Sequence, residues 1–518
     1  MRVVLGFWLL LVSVSAVSAA RLPAECKPPA SREPAIRGKP SVELYSEIGD
    51  WFAGQGNLRC ALASLEEATR LEPHSAQAHY RLGTFKVRAQ QLTAAAAEFR
   101  LALQYKPAMV EAHNALGSIL MDTGKTAEAE TEFREALRHD PQFVPALVNL
   151  GMIRANHGDN EAAEKLFRQA IEHDANYEQA HLNLGLTLAK QQKFALSEVE
   201  VDRAMKLAPQ DPAALAAAGR VKARLGKSTE SVTLVRRAVA LAPRSAIVHL
   251  DLGMVLAESY DLIGALDQYN EAIRLAPGSA LAHLNRGRVL FDLGRHSAAQ
   301  PDLEVATRIA PTMPEPYYFL AMIEKQGGHY QRAAALLEKV VKLQPRNATA
   351  WNLLGQILEY NSQTQAAIAA WKEAVAIQPE NSQALWSLAR AVKPSDPEEA
   401  ARLMDRYTEV QKNRRILDEA GTLGNDALAA GAAHDWPEAI RKFQRAIEVC
   451  GDCAMKGDLH KKLGLTDCQM GDLDNGEKEL RMAQTLKPED VDIERALERI
   501  AVARAKGVAS HPDLEKAH

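Results

Sequence analysis

The sequence predicts an all-α fold, an α-solenoid of stacked helix pairs, and three observations carry that expectation. The first is phase: a 34-residue pattern opens at Val42 and runs ten times without a gap to Asn381. The second is composition. Aromatic residues are only 5% of the 518 while alanine is abundant, which suits closely packed helices better than a sheet. The third is punctuation. Glycine recurs in mid-repeat (Gly56, Gly124, Gly158, Gly226, Gly294, Gly328) and proline near the end, from Pro73 to Pro379, so each repeat reads as two helices separated and then stopped.

The chain opens with Arg2, an apolar run VVLGFWLLLVSVSAV and then small residues, SAA, at 18–20. A positive end, an apolar core and a small-residue cleavage site predict a secretory signal peptide over 1–20, cut near Ala19–Ala20. An uncleaved anchor is the alternative. The cleaved chain is then exported, periplasmic or secreted, with no later membrane span. Residues 21–41 carry five prolines and no periodicity, and read as a linker.

Ten repeats follow, at 42–75, 76–109, 110–143, 144–177, 178–211, 212–245, 246–279, 280–313, 314–347 and 348–381. Position 8 is glycine in nine of them, with Ala321 the exception. Positions 20 and 27 are almost always alanine, two helical turns apart on one face, so a neighbouring helix can approach closely. Position 24 is large, as in Phe99, Phe133, Phe167, Tyr269 and Trp371, and fills the space between those alanines. Residues 382–415 read as a partial repeat and a closing helix, 420–490 as two degenerate repeats, 491–505 as a capping helix and 506–518 as a disordered tail. Pro301, at position 22, should delay or kink its helix.

This pattern resembles the tetratricopeptide repeat family, whose 34-residue helix–turn–helix has Leu-Gly, Ala, Phe, Ala and Pro at these offsets. The resemblance covers 42–381 and implies a right-handed superhelix whose first helices line a concave face. Family members meet ligands through positions 2, 5, 9, 12 and 13. Carried onto this chain, those positions select Val148, Met152, Leu182, Leu186, Leu250, Met254 and Leu284 as an apolar strip, punctuated by Arg88, Lys190, Arg220, Arg224 and Arg288. The lysine at position 5 and asparagine at position 9 of chaperone-tail binders are absent.

Five histidines, His79, His113, His181, His249 and His283, recur at position 4. A shared zinc ion would need their nitrogens within about 2.1 Å of one metal, whereas packed helices lie about 8–10 Å apart. Tyr45, Leu147, Leu215, Tyr317 and Trp351 hold the same position elsewhere, so bulk is the expected common property. GRVKARLGKS at 219–228 imitates a phosphate loop, but valine stands where its first glycine is needed and no strand precedes it. Five cysteines in an exported chain suggest disulfides, Cys26–Cys60 and Cys450–Cys453, with Cys468 free. A zinc site from Cys450, Cys453, His460 and Cys468 has irregular spacing and is disfavoured.

Lys+Arg 62 against Asp+Glu 66 leaves a net charge of −4, giving no basic excess for nucleic acid. No HExxH, GxSxG or Gly-rich dinucleotide motif occurs. The expected function is a non-enzymatic scaffold, without cofactor or metal, that binds a protein or peptide in its groove. An accessory subunit of an envelope assembly machine is the alternative.

Overall fold

A computed structural model of the chain describes residues 22–505; the segment 1–20, expected to be a signal peptide, and the expected tail 506–518 lie outside the described residues. Among the described residues there are 27 α-helices and no strand. None of these helices is long and apolar enough to cross a membrane. The chain divides into two compact units at Val289 and Leu290. Within each unit, helices pack on their neighbours in sequence, the hallmark of a solenoid.

Helices come in pairs of near-constant length, such as Glu178–Lys190 with Phe194–Leu207 and Ala348–Tyr360 with Thr364–Ile377. The turn between the members of a pair needs a left-handed residue. Gly124 and Gly226 both have φ 77° there, yet Gln90 (59°), Gln192 (62°), Tyr260 (62°) and Ser362 (59°) adopt the same conformation. N-terminal caps come from polar side chains that accept a backbone N–H: Ser75 from Ala78, Asp211 from Ala214, Asn347 from Ala350 and Asn381 from Ala384.

Position 8 is small because position 24 lies directly over it. A Cβ on Gly83 would stand 2.7 Å from Phe99, one on Gly253 2.5 Å from Tyr269, and one on Gly355 2.5 Å from Trp371. Phe99, Phe133, Phe167 and Trp371 are at most 1% exposed. Leu65, Leu303 and Leu337 hold position 24 in three repeats, and two more solve the contact differently. Val201 and Val235 replace the ring, and Ser197 and Ser231 replace alanine at position 20. Each serine hydroxyl donates to the position-8 carbonyl, of Gly185 or Gly219, at 2.6 Å, so neither is buried unpaired. Tyr269, in contrast, buries a hydroxyl with no hydrogen-bond partner, and burial pushes its pKa far up. Tyr269→Phe should therefore hold or raise stability by about 1 kcal/mol in a urea titration.

The N-terminal stretch read as a linker is in fact ordered. It contains the short helix Glu33–Gly38, and Leu22 and Ile36 pack on the first repeat. Cys26 is 3% exposed and bonded to Cys60 on the helix Leu58–Leu71. Its apolar residues cover the open end that a first repeat otherwise leaves bare, which its prolines concealed.

In the second unit, the expected break between a closing helix ending at 415 and a repeat starting at 420 is absent. One helix, Pro397–Ala432, runs through. It is buried at Ala400 and Leu403 and again at Ala420, Gly424 and Ala427, and is solvated between. Nothing in 404–419 interrupts helical propensity, since both prolines precede the helix or begin it. Nor does Pro301 delay its helix: His296–Ile309 starts where its counterparts start, with the proline inside. Pro301 is exposed and supplies no N–H to the Ser297 carbonyl. Pro301→Ala should thus stabilise the second unit by about 2 kcal/mol, read as a higher urea midpoint. The helix Val491–Ala505 ends the described chain and buries Ile493 and Ile500.

Candidate functional site

In the first unit, a cavity of about 580 Å³ opens among the helices Val144–Asn156, Glu178–Lys190, Pro212–Arg224 and Ala246–Glu258. Its walls repeat with the helices. Position 9 supplies Met152, Leu186, Arg220 and Met254, and position 13 supplies Asn156, Lys190, Arg224 and Glu258. Offsets of four residues place these two rows on one face. From the helix Pro212–Arg224 the wall takes Ala217, at a position held by Asn183 and Asp251 in the flanking repeats. Its methyl group is 2% exposed and packs with Val201, Ala218 and Val221.

Six of the twelve residues expected in the groove line this cavity: Met152, Leu186, Lys190, Arg220, Arg224 and Met254. Two others are corrected, because Val148 is 1% and Leu284 7% exposed, so both are interior packing. Position 5 points between successive first helices, and Val148 there joins Leu184 and Leu188 in the core. Leu182 packs beside Val201 and Ala217, and with Leu250 and Arg288 it is half-buried outside the cavity. The wall residues that family positions did not select, Asn183 and Ala217 at position 6 and Thr187 and Val221 at position 10, lie on the same helical stripe as positions 9 and 13. The alanine run in PAALAAAGR was their one visible signal.

Charge at the rim is mainly positive. Arg220 pairs with Asp251 at 3.2 Å, and Arg224 with Glu258 at 3.4 Å while lying over the Phe194 ring. Asp251 is 5% exposed; burial raises its pKa, and the Arg220 guanidinium opposes that rise. Lys190 is exposed and makes no ion pair among the described residues, reaching only the Ala155 carbonyl at 3.5 Å. Nearby, buried Lys222 is held by Glu198 at 2.8 Å with Asp202 and Glu230 around it, a structural network rather than an open site.

The histidine row is a set of clamps. His79, His113 and His181 each bring Nδ1 to a glutamate of the second helix, Glu98, Glu132 or Glu200, at 2.7 Å. Nε2 meets the carbonyl six residues earlier, of Pro73, Pro107 or Ala175, at 2.9–3.1 Å. His249 and His283 reach Pro243 and Pro277 alike. Tyr317 and Trp351 donate to the carbonyls of Pro311 and Pro345. For all of these the shared property is a hydrogen bond to the preceding loop, not bulk alone.

Burial pulls the pKa of His113 down, but the Glu132 carboxylate and the Pro107 carbonyl outweigh it and the net shift is upward. A raised folded-state pKa adds stability that is complete below the unfolded value near 6.5 and is lost as pH rises through the folded value. Thermal melts at pH 5.5 and 8.5 should therefore show a larger deficit for His113→Leu at the lower pH.

The cysteines of the second unit do not converge. Cys450 and Cys453 are bonded to each other, and His460 pairs with Glu479 at 2.6 Å. Cys468 is free, and burial with Asp467 and Asp472 nearby pushes its thiol up to about 11, which leaves little thiolate at neutral pH. Among the described residues no group of three or more His, Cys, Asp or Glu side chains could hold a metal.

Two tetratricopeptide repeat family profiles match the chain, one over 47–108, 86–142, 148–212, 216–280, 264–314 and 355–414, the other over 290–357. No curated protein matches it by sequence. Among solved structures, a tetratricopeptide repeat protein from Parabacteroides merdae ATCC 43184 is 18% identical with a TM-score of 0.40, over 48% of this chain and 98% of its own. The APC/C hetero-tetramer Cut9–Hcn1 is 13% identical with a TM-score of 0.40, over 91% and 98%. The human IFIT1 dimer with PPP-AAAA is 16% identical with a TM-score of 0.47, over 72% and 92%. The first profile alone spans more than half of the residues, over the helix pairs that pack position 24 onto position 8, and the chain belongs to the tetratricopeptide repeat family.

Proposed function

We propose that this protein is a non-enzymatic scaffold that binds a protein partner in the groove of its first unit, in an exported compartment. The observation that carries the reading is the cavity of about 580 Å³, walled by the regularly repeating positions 9 and 13 of four consecutive first helices. Apolar walls with a few convergent polar groups are the common form of a recognition site. Export rests on the signal-like segment, and two disulfides suit an oxidising compartment.

A photo-crosslinking amino acid at Leu186 tests the groove, with one at the exposed Val199 of a second helix as reference. The expected result is one protein adduct from position 186 that Met254→Asp removes while the circular dichroism spectrum is unchanged. Equal adducts from both positions would overturn the groove. Mass spectrometry of the mature chain tests export, with Arg21 expected as the first residue.

A further inference from the structure

One edge of the first unit departs from the rest of the repeat array in both charge and hydropathy. We infer that the turns 208–211, 242–245 and 276–279, with the helix ends beside them, dock on an anionic lipid surface. This edge is separate from the cavity, and the inference does not rest on the groove.

Charge is the first departure. In the repeats opening at 42, 110 and 246, glutamate at position 26 pairs with arginine at position 29: Glu67 with Arg70, Glu135 with Arg138 and Glu271 with Arg274. The repeats opening at 178 and 212 put Arg203 and Arg237 at position 26 instead. Arg237 donates to the Pro209 carbonyl at 2.9 Å, which holds the turn of one repeat beside the C-terminal end of the next second helix. Lys206, Arg237 and Arg244 are exposed and form no ion pair among the described residues. The acids at this edge are already engaged, since Asp211 caps Ala214 and Glu271 holds Arg274.

Hydropathy is the second. Position 2 is polar in five repeats, as Glu43, Gln77, Glu111, Gln179 and Glu315, but is Ile247 and Leu281 in two adjoining ones. Ile247 is 72% and Leu281 41% exposed, and Leu241, across the 242–245 turn from Ile247, is 43% exposed. The Pro243 and Pro277 carbonyls meet His249 and His283 at 3.1 Å, so both turns are held against their helices alike. Equivalent positions of stacked repeats then fall in one row, which puts Ile247 and Leu281 side by side along the edge. Aliphatic tips beside unpaired cations match the layering of a membrane interface, where anionic headgroups overlie acyl chains. An acidic protein segment would satisfy the arginines but gives Ile247 nothing apolar to enter, so the edge favours lipid.

The test is co-sedimentation of the chain from Arg21, which includes every described residue, with lipid vesicles. The vesicles are phosphatidylcholine alone or with about 30% phosphatidylglycerol, and binding to the anionic ones is expected to be at least about tenfold tighter. Arg237→Gln with Arg244→Gln should weaken that binding about tenfold, and Ile247→Ser with Leu281→Ser by a similar factor. Both double variants should keep the circular dichroism spectrum, since all four side chains are exposed. Tyr260→Ser is the reference, because Tyr260 is 90% exposed in the turn at the opposite end of these helices, and it should bind like the wild type. Equal binding to neutral and anionic vesicles, or binding to neither, would overturn the inference, as would an equal loss in Tyr260→Ser. Unchanged vesicle affinity in either double variant would sink it too. Binding of soluble polyglutamate without binding of anionic vesicles would overturn it in favour of an acidic protein partner.

Discussion

Replacing Cys26 and Cys60 together with serine is expected to lower the stability of the first repeat by up to about 4 kcal/mol, the largest single effect in the first unit. The bond joins residues 34 apart, and closure of a loop of that length removes much of the freedom of the unfolded arm. The native side adds to it. Cys26 is 3% exposed, and the same stretch brings Leu22 and Ile36 onto the core made by Ile48, Phe52, Leu65 and Leu82. Without the bond the arm detaches, the apolar end of the first repeat meets water, and fraying starts there. Amide hydrogen exchange should show it as lost protection over 42–71, with the repeats beyond 144 unchanged. Cys450→Ser with Cys453→Ser is the control. That bond closes a separation of only 3, so its removal should shift the urea midpoint far less. If the Cys26 and Cys60 variant melts like the wild type, the arm adds nothing to the fold.

Trp371→Ala should cost the second unit about 3–5 kcal/mol, the range for deleting a fully buried large aromatic. Trp371 is 0% exposed, lies over Gly355 and donates its indole N–H to the Asn352 carbonyl at 3.2 Å. Truncation opens a void between the two helices of one repeat and leaves that carbonyl without its indole donor. Trp371→Phe places at position 24 the ring that three repeats carry there, as Phe99, Phe133 and Phe167, and should recover more than half of the loss. Far-UV circular dichroism in urea is the suitable readout, since the substitution removes a fluorophore. Equal midpoints for the alanine and phenylalanine variants would show that ring volume over Gly355 is not what holds the pair together.

The cavity shows where reading positions one at a time stops working. Met152, Leu186, Arg220, Arg224 and Met254 were legible because positions 9 and 13 face the same way in every repeat. Val148 and Leu284 were misread because position 5 packs between neighbouring first helices, and no local pattern separates an apolar wall from an apolar core. Ala217 lines the cavity from position 6, which the family's ligand positions do not include. The position-4 residues were grouped by size, although the carbonyl six residues earlier, which makes them clamps, appears only after the loop has folded back.

That position 24 lies over position 8 came from the structure, whereas the residues alone settled the helix pairs, their phase, which positions are small and which large, and the family. Those depend on neighbours within one repeat, at separations that a period of 34 residues makes explicit. Tertiary structure alone decided that the proline-rich arm is part of the fold, that one helix runs from Pro397 to Ala432, and which apolar side chains remain open to a partner. Each of those depends on what a side chain meets in the next repeat or at the end of the array. Burial belongs to the assembled stack and not to any one position in the chain.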